Sequence, residues 1–105
     1  MKTYELNGKT YHLYYSIGRL EQIEKATGRS AMEMVVALGS MRTPTISEVK
    51  NYFAYGLLDE GGVYAPIKAA LDFAEKQIET SGYVDIMMQV CEQLQEDCGF
   101  LFQGV

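Results

Sequence analysis

The dipeptide Asn7-Gly8 constrains this chain more than any other local feature. Asparagine followed by glycine accepts the positive φ angles of a type I′ turn, whose twist matches that of the strands it joins. The flanking residues alternate in polarity, as strands do. A two-residue loop sets Leu6 opposite Lys9, Tyr4 opposite Tyr11 and Lys2 opposite Leu13. Tyr4, Leu6, Tyr11, Leu13 and Tyr15 then share one face, and Thr3, Glu5, Thr10, His12 and Tyr14 share the other. Residues 1–15 are therefore predicted to form a β-hairpin, buried on one side and wet on the other. A lone hairpin is marginal in water, so the remainder of the chain has to cover the apolar side.

That remainder reads as about five helices. Ser16 is a good N-cap for a helix ending at Gly28, with Ile17, Leu20, Ile23 and Thr27 on one stripe. Ser30 with Glu33 and Thr45 with Glu48 are spaced as capping boxes. The first opens a short helix through Met32, Val35, Val36 and Leu38 to Gly39, and the segment from Gly39 to Pro44 reads as loop. The second opens the best amphipathic helix, with Val49, Tyr52, Phe53, Gly56 and Leu57 on its inner stripe and a stop at Gly61-Gly62. Pro66 suits the first turn of the next helix, which carries Ile67, Ala70, Leu71, Ala74 and Ile78 and closes at Gly82. The last helix presents Val84, Met87, Met88, Cys91, Leu94 and Cys98 before Gly99. The expected fold is α+β and mostly α: a single domain over 1–105, with a hairpin (1–15), a helical body (16–99) and an apolar tail (100–105).

With 48% hydrophobic and 22% charged residues among 105, the chain has the balance of a folded globular domain. It contains no run of about 18 apolar residues, and Met1-Lys2-Thr3-Tyr4-Glu5 turns polar before a signal-peptide core could begin. A cytoplasmic protein is expected. Cys91 and Cys98 lie seven apart on one helix, about 10 Å along its axis and beyond disulfide reach, which suits reduced thiols. Charge is uneven: residues 1–47 hold six basic and four acidic side chains, residues 48–105 three basic and ten acidic. Such a surface repels phosphate and argues against nucleic acid as a ligand.

No constellation for chemistry emerges. His12 is the single histidine and sits among tyrosines on the hairpin, so an enzyme would have to be built around it or the cysteines. The cysteines lack the CxxC spacing of redox or zinc sites. Glu92, Glu96 and Asp97 lack the loop of a calcium site, and Gly56, Gly61 and Gly62 form no phosphate-binding pattern. Neither a catalytic residue, a metal nor a cofactor is assigned. Apolar supply carries more information. Met34, Met41, Tyr55, Tyr64, Phe73 and Tyr83 exceed what the stripes require, and either a thin core absorbs them or they serve an interface. The tail Phe100-Leu101-Phe102 poses the same choice. A binding protein is the reading these residues support.

The segments Leu6-Asn7-Gly8-Lys9-Thr10-Tyr11 and Leu20-Glu21-Gln22-Ile23-Glu24-Lys25-Ala26-Thr27-Gly28, with the helix ending near Tyr55-Gly56-Leu57-Leu58, resemble the tail assembly chaperones of long-tailed phages, prophages and gene transfer agents. The likeness covers about residues 3–60. It implies a non-enzymatic protein of the host bacterial cytoplasm that binds the tape measure protein during tail assembly, with homo-oligomers possible, and it carries over no catalytic residue. From the pattern alone, Tyr52, Tyr55, Phe73 and Met88 are the expected contact residues for a protein partner. The competing expectation is a small acidic inhibitor that imitates nucleic acid in a nuclease cleft, using Asp72, Glu75, Glu79, Asp85, Glu92, Glu96 and Asp97.

Overall fold

Asn7 and Gly8 both take positive φ, 51° and 78°, and the turn they form closes a hairpin between β1 (Tyr4–Leu6) and β2 (Lys9–Leu13). The computed structural model describes residues 2–39 and 43–102. Tyr4 pairs with Tyr11 and Leu6 with Lys9, the expected register. Tyr4, Tyr11, Leu13 and Tyr15 are buried while Thr3, Glu5 and Tyr14 are exposed, so the period-two pattern fixes which face enters the core.

Among the described residues five α-helices follow: α1 (Ile17–Thr27), α2 (Ala31–Gly39), α3 (Ile46–Gly56), α4 (Ile67–Ser81) and α5 (Tyr83–Asp97). The fold is α+β and mostly helical. Their ends follow local chemistry. The Ser16 hydroxyl accepts from Arg19 N at 3.1 Å, and Gly28 closes α1 in the left-handed region at φ 72°. At α3 the box is complete: Thr45 Oγ1 accepts from Glu48 N at 3.1 Å and Glu48 Oε1 accepts from Thr45 N at 3.0 Å. Ser30 Oγ accepts from Glu33 N at 3.1 Å at the start of α2.

The third strand departs from expectation. The helix predicted to run through Leu57 ends at Gly56, and β3 (Leu57–Asp59) pairs antiparallel with β2, Leu13 against Leu57 and Tyr11 against Asp59. The sheet order is β1-β2-β3. Periodicity could not separate the two outcomes, because Leu57 points inward in either and is fully buried. What decides it is the second edge of β2, whose backbone groups need partners. Tyr14 N donates to Gly56 O at 2.9 Å where the helix gives way to the strand. Gly56 also admits a close approach: a Cβ there would lie 2.8 Å from the Tyr15 ring.

Gly61-Gly62 marks a turn, as expected, but one that follows a strand and not a helix. Asp59 Oδ1 accepts from Val63 N at 2.8 Å, Gly62 has φ 82°, and Ala65 N donates to Leu57 O at 2.9 Å. Tyr64 bridges back to Leu58 and shields the outer edge of β3.

The core gathers around α3, which packs against α1, α4 and α5. Phe53 meets Tyr4 edge-on at 5.0 Å and stacks with Phe73 at 6.2 Å, tying β1, α3 and α4 together. Tyr15 is wholly buried and donates its hydroxyl to Tyr52 O at 2.7 Å. The aromatic surplus is largely absorbed here: Met34 is fully buried, and Tyr55, Phe73 and Tyr83 pack half-buried against the core. Tyr64 is half-buried as well, and its hydroxyl donates to Tyr14 O at 3.0 Å. Met41 lies outside the described residues. The apolar tail folds back, with a 3-10 turn at Gly99–Leu101 and Leu101 and Phe102 against the core, while Phe100 stays exposed. Residues 103–105 lie outside the described residues.

Candidate partner-binding surface

α5 is apolar around more of its circumference than the core uses. At about 100° per residue, two apolar stripes overlap on it. The first runs Ile86, Val90 and Leu94, all buried. The second runs Val84, Met88 and Cys91, of which Val84 is 63% exposed, Met88 49% exposed and Cys91 half-buried. The sequence pattern favours the second stripe as the inner face, and the structure corrects this. Only Met87, Leu94 and Cys98 of the predicted set pack on or into the core.

Polar contacts explain why the helix settles with this rotation. Gln89 Oε1 accepts the Tyr4 hydroxyl. Asp97 Oδ2 accepts from Tyr15 N at 3.0 Å and from Gln93 Nε2 at 3.0 Å. Tyr83 donates its hydroxyl to Pro44 O. Gln89, Gln93 and Asp97 share one flank of α5, and that flank is held to the hairpin. Turning the helix to bury Val84 and Met88 would break these bonds and strand buried polar groups. The protonated Tyr4 hydroxyl is favoured in its site, where burial first and the nearby Asp85 charge second push its pKa up to about 12. Burial, with Asp97 beside it, raises the Cys98 thiol to about 11. Cys91 is also shifted up, by burial and then by Glu92.

Beyond Met88 around the helix lie Glu92, Asp85 and Glu96, all exposed. From residue 77 onward the chain has five carboxylates, Glu79, Asp85, Glu92, Glu96 and Asp97, and neither Lys, Arg nor His. An apolar stripe with an acidic margin is therefore the most distinctive surface feature of α5.

The expected contact residues divide. Tyr52 is 2% exposed, so its side chain is part of the core and offers no contact area; burial first, with Glu24 and Glu48 nearby, drives its pKa up. Tyr55 is half-buried, its ring 4.9 Å from the Arg19 guanidinium, whose Nε donates to Tyr55 O at 2.6 Å. Phe73 is half-buried beside Phe53 and Tyr4. Met88 alone of the four stands clear on the surface. The pattern missed Val84, Ile17 and Ile46 as surface groups, each more than 60% exposed. The signal for Val84 was present, since α5 carries more apolar positions than one stripe can hold.

His12 is half-buried on β2, opposite Leu58. Among the described residues, no group of three or more His, Cys, Asp or Glu is placed to hold a metal ion, and no helix is long and apolar enough to cross a membrane. Comparison with protein-family models, with curated proteins and with solved structures finds no match to this chain.

Proposed function

We propose that this protein is a non-catalytic tail assembly chaperone of a phage or prophage, which binds the tape measure protein in the host cytoplasm during tail morphogenesis. The observation that carries this reading is the second apolar stripe of α5, Val84, Met88 and Cys91, which the fold leaves outside its core. A chaperone for a long helical chain has to cover apolar stripes until assembly does so, and an amphipathic helix does this by side-on contact. The hairpin and α1, with Leu20-Glu21 and the closing Gly28, add the family likeness. Co-expression with the long helical protein encoded nearest to it tests the reading. The partner is expected to be recovered soluble and in complex; unchanged solubility and no complex would end the proposal.

A second reading, a nuclease inhibitor acting by charge, draws on the run of carboxylates after Lys76. Binding by charge weakens steeply between low and moderate salt, whereas an apolar contact holds. Lys68 and Lys76 among the acids of α4, and Val84 and Met88 among those of α5, break the continuous negative face that such mimicry needs.

A further inference from the structure

We infer that the outer flank of α5, formed by Val84, Met88 and Cys91 and rimmed by Asp85 and Glu92, is the docking surface for a basic amphipathic helix of the protein partner. This rests on the reading of the protein as a binding module and adds which surface acts and what chemistry it selects.

Three observations converge on it. The first is spacing. Val84, Met88 and Cys91 stand at i, i+4 and i+7, about two turns or roughly 10 Å, the repeat by which one helix engages the apolar stripe of another. Methionine at the centre suits contact with more than one side-chain shape.

The second is rigidity. The flank of α5 that carries Gln89, Gln93 and Asp97 is bonded to Tyr4 and Tyr15, and the inner face is locked by Ile86, Val90 and Leu94. The exposed stripe is thus held in place before any partner arrives, which lowers the ordering cost of binding.

Charge names the occupant. Asp85, Glu92 and Glu96 border the stripe, and among the described residues these three carboxylates outnumber the one cation beside them, Lys2, which lines the groove along Glu92 and Glu96. A helix with Lys or Arg flanking its apolar residues gains from that border, and one with Asp or Glu is repelled by it. The same rule disfavours a second copy, because a two-fold contact through α5 would set carboxylates against carboxylates.

The test is a titration of the ¹⁵N-labelled protein with a synthetic Leu/Lys amphipathic helix of about 18 residues, a length that spans several turns. A Leu/Glu helix with the same apolar pattern serves as the counterpart. The Leu/Lys peptide is expected to shift the amides of α5 around Val84, Met88 and Glu92, and the Leu/Glu peptide to leave them unmoved. Val84→Ser with Met88→Ser should weaken binding roughly tenfold or more, given the apolar area removed. Asp85→Asn with Glu92→Gln, which leaves the apolar stripe intact, should weaken it roughly threefold at low salt and less at high salt. Equal binding of the two peptides, shifts on another face, or unchanged affinity in both double variants would overturn the inference. So would concentration-dependent shifts at α5 in the free protein, which would make a second copy the occupant. A failed co-expression beside peptide binding at α5 would remove the proposed role and leave this surface. Successful co-expression beside binding on another face would remove the surface alone.

Discussion

α3 and α5 are both amphipathic helices of the same core, and they use their apolar residues in opposite ways. Val49, Tyr52, Phe53 and Ala54 on α3 are all buried, and the helix has neighbours on several sides, α1, α4 and α5. α5 buries Ile86, Val90 and Leu94 against α3 and α4 and leaves Val84 and Met88 in water. The difference separates two uses of apolar surface. On α3 each buried group raises the stability of the fold; on α5 the second stripe adds little to it and is free to contribute to association.

The largest effect that tests the contrast lies at the end of α3. Gly56→Ala would drive a Cβ to 2.8 Å from the Tyr15 ring, which cannot swing aside while its hydroxyl is bonded to Tyr52 O. A loss of about 1–3 kcal/mol is expected in urea unfolding, as for other overpacked cores. A change near zero would show that the junction between α3 and β3 is looser than the packing indicates.

Alkaline pH loads the same region. Tyr4, Tyr15, Tyr52 and Cys98 are all raised above their ordinary values, 10.0 for tyrosine and 9.0 for cysteine, chiefly by burial. Folding therefore favours their protonated forms. The resulting stability is fully present below about pH 9 and is lost as pH climbs through about 11 for Cys98 and about 12 for Tyr4. Thermal melts should hold steady up to about pH 9 and fall from there to about pH 12, with Tyr15→Phe giving a shallower fall. A melting temperature that stays level over that interval would contradict the burial of these groups.

The features legible in the sequence are those that local chemistry decides. Asn7-Gly8 sets the hairpin and its register, Ser16 and the Thr45/Glu48 box set helix starts, and Gly28 sets an end. Features that depend on distant partners were not legible. β3 forms because β2 has an open edge, a fact no window around Leu57 contains. The rotation of α5 depends on Tyr4 and Tyr15, more than 80 residues away in the chain, through Gln89 and Asp97. Bulk misleads as well: Met34 looks like surplus apolar supply and Tyr52, although on the inner stripe, looks like a contact residue, yet a core of this size takes both in whole. Of the contact residues expected from pattern, Met88 is the one that the fold leaves open, and its neighbour on the stripe, Val84, is exposed although the pattern points it inward.

The central claim is that the Val84–Met88 stripe is surplus to the fold. Urea unfolding of the Val84→Ser, Met88→Ser double variant tests it most directly. The predicted result is a stability within about 0.5 kcal/mol of the parent, as for exposed substitutions. A loss of about 2 kcal/mol or more, the size expected when buried apolar groups are removed, would contradict it.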